Sequence, residues 1–301
     1  MGRLTAIVLG AAAGGGFPQW NCRCPVCRLA WAGDPRVTAR TQASLAVSAD
    51  ERHWLLLNAS PDLRSQIAAN AMLQPQGDAR SSPIAAVVLT GAEVDQVAGL
   101  LSMRERQPFT LIATAETLAA VGANPIFGVL VPDMVARKPV APGERFAVAP
   151  ELTAELFSVA GKVPLYLEGE NPATARETEA NVGVEVRAGD KRLLFVPGAA
   201  AVTAALRERL ARADAIFFDG TLFTDDEMIR TRTGSKTGRR MGHMPIDGAD
   251  GSVAALAGVA ARRIFIHINN TNPILIAGSP ERQQVEAAGW EIAADGLKVV
   301  L

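Results

Sequence analysis

The chain has 301 residues, 49% of them hydrophobic and 20% charged, with a formal net charge of −1. This is the composition of a globular protein with a sizeable core, and it offers no long-range field to attract nucleic acid or an anionic membrane surface. No apolar run approaches the roughly 18 residues that a membrane span needs, so nucleic-acid binding and a membrane span are both excluded.

The first expected element is a strand over Leu4–Leu9. Arg3 ahead of it and Ala11-Ala12-Ala13 behind it loosely imitate a secretory leader. However, the Ile, Val and Leu run gives way abruptly to Gly14-Gly15-Gly16, which is how a strand enters a glycine turn. Further strands are expected over Ser44–Ser48 and His53–Leu57, then a helix over Pro61–Ala71. A strand over Ile84–Leu89 leads into a helix over Val94–Arg104, and a strand over Phe109–Ala113 into a helix over Ala115–Val121. Strands follow over Leu152–Ser158, Val182–Val186 and Arg192–Val196, then a helix over Val202–Ala211. The rest reads as a strand over Ala215–Phe218, helices over Thr224–Arg230 and Ser252–Ala260, a strand over Arg263–Ile268 and a helix over Pro280–Ala287. Pro61 and Pro280 each follow a serine, which caps the helix while proline fills its first position. Strands interleaved with helices, clustered in both halves without a linker or repeat, predict two mixed sheets packed face to face under helices, in one domain spanning residues 1–301.

Three cysteines, an odd number, lie within six residues: Cys22-Arg23-Cys24-Pro25-Val26-Cys27. This spacing makes a poor disulfide framework and a good metal clamp, as expected in a reducing cytoplasm. Zinc binds thiolates tetrahedrally, and a tight C-x-C-x-x-C loop presents three sulfurs to one ion. With a fourth donor from elsewhere in the protein no position stays open, so the expected site is structural; the alternative is three unrelated buried thiols. Before it, Gly14-Gly15-Gly16-Phe17-Pro18-Gln19-Trp20-Asn21 follows a strand as a phosphate loop does. No Gly-Lys-Ser/Thr follows, and Pro18 opposes an immediate helix. The glycines are expected instead to allow close backbone approach to the site or to a ligand.

Of the three histidines, His53 borders an apolar strand and reads as structural or surface. His267 ends a strand before Ile268-Asn269-Asn270-Thr271-Asn272-Pro273, a place from which metal ligands project. His243, within Arg239-Arg240-Met241-Gly242-His243-Met244, is a candidate proton carrier, with a surface imidazole the alternative. Arg230, Arg232, Lys236, Arg239 and Arg240 form a basic loop able to dock a carboxylate-rich small ligand. Some of these charges have helix partners in Asp225-Asp226-Glu227, the alternative to a binding role.

The segment Leu89-Thr90-Gly91-Ala92-Glu93-Val94-Asp95-Gln96-Val97-Ala98-Gly99-Leu100 resembles the metal loop of metallo-β-lactamases, Thr-His-x-His-x-Asp-His-x-x-Gly-Leu. Gly91, Glu93 and Gln96 stand where that loop has histidines, and only Asp95 is kept. Other segments carry a closer resemblance: Pro18-Gln19-Trp20-Asn21-Cys22 with Cys24 and Cys27, Leu57-Asn58-Ala59-Ser60-Pro61-Asp62, and Phe218-Asp219-Gly220-Thr221-Leu222. With Thr237-Gly238-Arg239-Arg240-Met241-Gly242-His243 and His267-Ile268-Asn269-Asn270-Thr271-Asn272-Pro273, they span nearly the whole chain. Together they are similar to the pyrroloquinoline quinone (PQQ) biosynthesis protein B family.

The resemblance implies an α/β fold, the metallo-β-lactamase-like αββα sandwich, in a bacterial cytoplasm. It implies a structural zinc on Cys22, Cys24 and Cys27. The fourth position, carried over from related phosphodiesterases, falls on Asn270, with His267 or water as alternatives. It implies a peptide- or dipeptide-derived precursor carrying linked Glu and Tyr, and leaves contact with other PQQ biosynthesis proteins and a homodimer open. Two roles follow: iron-dependent oxygenation of the tyrosine ring, or carriage and transfer of the finished quinone or its precursor.

Hydrolysis, the superfamily default, is the weakest expectation. Besides the three lost histidines, Ala160-Gly161 stands where another is expected, and Val196-Pro197-Gly198 leaves Gly198 at the position of a bridging aspartate. Two zinc ions need about seven or eight ligands and a bridging hydroxide, which the remaining residues do not supply. Asp95, His267 and one further carboxylate, Glu93 or Asp219, are the expected iron donors. A two-histidine, one-carboxylate triad lacks its second histidine at Gln96. His243 is expected to move protons, with Arg239 and Arg240 holding precursor carboxylates.

Overall fold

The computed structural model describes residues 2–169, 174 and 176–301. The strands are β1 (Thr5–Gly10), β2 (Ser44–Ser48), β3 (Trp54–Leu57), β4 (Ile84–Val88), β5 (Phe109–Ala113), β6 (Val135–Pro139) and β7 (Arg145–Ala149). They continue with β8 (Leu152–Gly161), β9 (Arg176–Ala188), β10 (Lys191–Val196), β11 (Ala215–Asp219), β12 (Arg262–Ile266), β13 (Trp290–Ile292) and β14 (Lys298–Val300). One sheet has the order β14-β1-β2-β3-β4-β5-β6 and the other β13-β12-β11-β10-β9-β8-β7. Both are mixed: β3 to β6 pair in parallel beside antiparallel β1–β2–β3, and β10 to β13 pair in parallel beside antiparallel β8–β9–β10.

Alternation along each strand builds three apolar layers, because successive side chains point to opposite faces. Ala6 and Val8 of β1 meet Phe217 of β11 and Ile264 and Ile266 of β12 in the layer between the sheets. Ile7 and Leu9 face outward under Leu63, Val97 and Val121 of the helical segments on one side. Ile216, Phe218 and Phe265 face Leu206, Leu210 and Val285 of the helices on the other. With both faces covered, the central strands read as near-continuous apolar runs, so all ten expected strands have counterparts.

The four additional strands lie at or next to sheet edges. β6 and β7 each have a single buried position, Val135 and Phe146, among exposed Arg137 and Arg145 and half-buried Lys138, while β13 and β14 have three residues each. The expected helix over Val94–Arg104 is an α-helix only over Val94–Val97, followed by a 3₁₀ segment over Ala98–Met103. The Gly99 N–H donates to the Ala59 carbonyl at 2.9 Å instead of continuing an α-helical ladder. A Cβ on Gly99 would lie 2.1 Å from the Ser60 oxygen, so this crossing requires glycine. Among the described residues no helix is long and apolar enough to cross a membrane.

Candidate functional site

Two groups of metal-capable donors lie where β1, β4, β11 and β12 end. In the first, the sulfurs of Cys22, Cys24 and Cys27 all lie within 4.8 Å of one another. The loop folds back on itself through its own thiols: Cys22 Sγ accepts the Cys24 N–H and Cys24 Sγ accepts the Cys27 N–H, both at 3.4 Å. Asn270 closes the group from the turn after β12. Its side-chain amide lies 3.1 Å from Cys22 Sγ and 3.3 Å from Cys27 Sγ, and its backbone carbonyl lies 3.5 Å from Cys24 Sγ. The Cys24 contact lowers the Cys27 thiol to about 6 and raises Cys24 in return. A buried set of three thiols under an amide is a donor set that fits zinc. His267, the alternative fourth donor, is directed into the other group.

That second group is Asp219, His243 and His267, with one donor atom of each again within 4.8 Å of the others. Asp219 ends β11 and is fully buried, and His267 follows β12. His267 adopts φ 57°, in the left-handed region that costs a non-glycine residue on the order of 1–3 kcal/mol. Gly220 makes the close approach possible: its N–H donates to the Ile266 carbonyl at 2.8 Å, and a Cβ there would meet Phe265 Cβ at 2.9 Å. Gly242, at φ 85°, turns the 237–243 loop so that the His243 N–H donates to the Gly238 carbonyl at 2.9 Å and the imidazole faces Asp219.

Thr221 Oγ1 sits at the centre, 2.6 Å from Asp219 Oδ1, 2.8 Å from His267 Nδ1 and 3.1 Å from His243 Nδ1. His243 Nδ1 lies 2.7 Å from Asp219 Oδ2, and the two imidazoles stack with centroids 5.3 Å apart. Burial opposes the charge on Asp219, but the neighbouring His243 holds the carboxyl below its ordinary range. His267 Nε2 lies 3.0 Å from Asp95 Oδ2. Burial works against the imidazolium there too, yet the hydrogen bond and charge of Asp95 raise His267 above its ordinary value. The second histidine missing at Gln96 is therefore supplied by His243, a residue expected only to move protons.

Asp95, Thr221, His243 and His267 line a cavity of about 350 Å³ together with Gly14, Asn181, Gly198, Met228, Lys162, Glu168 and Lys236, while Asp219 lies buried behind the lining. Glu93, an expected metal donor, instead accepts from Lys162 Nζ at 2.9 Å and from the Leu165 N–H at 3.1 Å. Arg240 reaches the cavity-lining Glu168 at 3.4 Å whereas Arg239 turns to Asp250, and neither arginine itself lines the cavity. Sequence reasoning assigned no role to Thr221 or Lys162. Thr221 lies within a quoted motif, but nothing in the sequence signals its contact with both imidazoles. Lys162 directly follows Ala160-Gly161, a place noted only for a lost histidine.

The remaining motifs act as supports. Asn58 Oδ1 accepts the Thr90 N–H and Asn58 Nδ2 donates to Thr90 Oγ1, both at 2.9 Å, fixing the loop that carries Asp95. Asp62 holds Gln42, and Gln42 Oε1 accepts the Gly15 N–H, which holds the glycine-rich turn near Asp95.

Two mixed seven-stranded sheets under helices, with donor groups at their common edge, define a metallo-β-lactamase fold, and the beta-lactamase superfamily domain matches residues 53–268. Within that superfamily the chain belongs to the coenzyme PQQ synthesis protein B family. It is 57% identical over 296 residues to that protein from Methylorubrum populi, covering 98% of this chain and 99% of the relative. It is also 57% identical over 299 residues to the protein from Methylobacterium sp. strain 4-46, covering 99% of this chain and 100% of the relative. A crystal structure of Zn²⁺-bound PqqB from Methylobacterium extorquens shares its fold at a TM-score of 0.97 and 55% identity, covering 98% of this chain and 99% of that one. A diphosphatase of the PhnP family, 20% identical over 98% of this chain and 97% of its own, has a TM-score of 0.68 and is alike in fold alone. Both the fold and the family expected from the sequence are borne out.

Proposed function

We propose that this protein acts in coenzyme PQQ synthesis by iron-dependent oxygenation of the tyrosine ring of a Glu-Tyr-derived precursor. The observation that carries this reading is the convergence of Asp219, His243 and His267 beside the cavity. Two imidazoles and one carboxylate are the donor set of non-haem iron oxygenases, which keep positions open for co-substrates. Iron held there supplies the activation of dioxygen.

The chain's own residues do the rest. Thr221 fixes both rings from their Nδ1 side, so His267 would present Nε2, which lies 3.0 Å from Asp95 Oδ2 in this structure, to the iron. Asn181 and Met228 enclose the space beside them, and Lys162 and Lys236 put two ammonium groups on one wall, paired there with Glu93 and Glu168, as donors for precursor carboxylates. The cysteine group with Asn270 would hold a structural zinc, a reading supported by its three-thiol donor set and by the Zn²⁺-bound state of the relative. That clamp ties the N-terminal loop to the turn carrying His267. The same two lysines favour a second reading, carriage of the quinone or its precursor, which needs no iron. Gly91, Gln96 and Gly198 leave a dinuclear hydrolase too few ligands.

The test loads the protein with ferrous iron without oxygen, adds a Glu-Tyr dipeptide, admits oxygen and follows the product by mass. Gain of one oxygen atom by the wild type, abolished in Asp219→Asn and His267→Ala, is the expected result. No product alongside tight binding of PQQ would sink the oxygenase and leave the carrier.

A further inference from the structure

One wall of the cavity already holds a carboxylate. Lys162 Nζ lies 2.7 Å from Glu168 Oε1, Lys236 Nζ 3.6 Å and Arg240 Nη1 3.4 Å from Glu168 Oε2. The side chains of Glu168 and Lys162 are 7% and 13% exposed, whereas those of Lys236 and Arg240 are 40% and 38% exposed, so a sheltered ion pair opens to solvent through its two outer cations. Lys162 also pairs with Glu93; Lys162, Lys236, Glu93 and Glu168 line the cavity, and Arg240 backs Glu168 from outside the lining. A sheltered pair such as Lys162 with Glu168 contributes little stability over apolar packing, and exposed partners such as Lys236 and Arg240 add little more, which argues for a purpose beyond holding the fold.

We propose that Lys162, Lys236 and Arg240 form a carboxylate-binding subsite, and that Glu168 fills it as an internal surrogate displaced by a carboxylate of the incoming ligand. The inference rests on the reading that the cavity takes a PQQ-type polycarboxylate. Displacement frees the segment over residues 162–169, which covers the cavity and is weakly anchored. Leu165, Tyr166 and Leu167 are all largely exposed, and the other polar anchors are the Leu165 N–H to Glu93 and the Tyr166 hydroxyl donating to the Ala92 carbonyl at 2.8 Å. The Lys162 stem packs on Gly242, next to His243. A ligand held by its carboxylates at this wall therefore presents its ring to the two imidazoles.

The chain has one tyrosine, Tyr166, so 3-fluorotyrosine labelling gives a single ¹⁹F resonance from this segment. The probe is PQQ itself, bound to the zinc-replete protein without iron or turnover. Glu168→Gln is expected to tighten PQQ binding about tenfold, since the surrogate loses its charge, and Lys162→Met and Lys236→Met to weaken it about tenfold each. Arg239→Met is expected to bind as the wild type does. The ¹⁹F resonance is expected to move on saturation with PQQ, and to lie near the bound position in ligand-free Glu168→Gln.

Unchanged or weaker binding by Glu168→Gln, wild-type affinity in both lysine variants, or no binding by the wild type at millimolar PQQ overturns the proposal. If Glu168→Gln fails to fold, the wild-type resonance decides, and a resonance that PQQ does not move overturns it. The expected binding pattern without oxygenation of the dipeptide sinks the oxygenase alone; oxygenation with an unresponsive Glu168→Gln sinks the subsite alone.

Discussion

Gln96 fills the space that Gly91 leaves. Gln96 Oε1 accepts the Glu93 N–H at 3.0 Å and Nε2 donates to Thr90 Oγ1 at 3.2 Å, while a Cβ on Gly91 would lie 2.7 Å from that same Oε1. Two positions that carry histidine in the metallo-β-lactamase loop have become one structural unit, in which the amide braces the start of the helix bearing Asp95 instead of meeting a metal.

This coupling is measurable. Gly91→Ala is expected to cost about 1–3 kcal/mol through overpacking, and visibly less in a Gln96→Ala background, where only the Ala180 carbonyl at 2.9 Å remains in the way. Urea unfolding of the two single variants and the double variant gives the interaction energy. Strict additivity would show that the two side chains are independent.

The central strands were legible because both of their faces are buried, which writes unbroken apolar runs into the chain. β6 and β7 were not, since lying toward a sheet edge lets Arg and Lys interrupt the pattern. Within the site, Asp95 and His267 were legible from their motifs. His243 was visible as an imidazole in a glycine-flanked loop, but its approach to Asp219 and His267 is set by Gly242 and by the packing of β11 on β12. Such contacts between distant segments leave no periodic signature, and for the same reason nothing marked Lys162 as the partner of Glu93.

Thr221 is expected to position both imidazoles rather than bind iron. Thr221→Val keeps the shape and removes the hydroxyl, and is expected to weaken iron affinity about 10- to 100-fold, the usual range for a lost hydrogen bond behind a metal ligand. Thr221→Ser is expected to restore it. Iron titration of the three proteins at matched thermal stability is the check; a valine variant with wild-type affinity would show that the Thr221 hydroxyl does not position the rings.

The cysteine clamp and the turn carrying His267 meet at Asn270, so zinc loss should reach both. Cys24→Ala is expected to purify without stoichiometric zinc and to melt on the order of 10 °C lower, as a loss of several kcal/mol does in a protein of this size. Elemental analysis and a thermal melt test this directly. Retention of one zinc per chain by the variant would contradict the thiolate site.

Glu227 carries the pH dependence most open to test. Its carboxyl is buried, accepting from the Phe223 N–H at 2.7 Å and from Thr271 Oγ1 at 2.5 Å. Burial raises it from 4.5 to about 7 despite these hydrogen bonds. The folded state therefore holds a proton that the unfolded chain releases between these values, and stability falls as pH rises through that window. The loss is complete above about pH 7 and amounts to roughly 3 kcal/mol, at about 1.4 kcal/mol per pH unit. Glu227→Gln keeps an acceptor for Phe223 and a polar group for Thr271 but cannot ionise. The variant is expected to gain on the wild type steadily from about pH 4.5 to pH 7 and to hold that advantage above it. Urea unfolding of both proteins at pH 5, 6, 7 and 8 measures the difference. Parallel stability curves would mean that Glu227 ionises alike in the folded and unfolded chains, and that its contacts with Phe223 and Thr271 fully offset its burial.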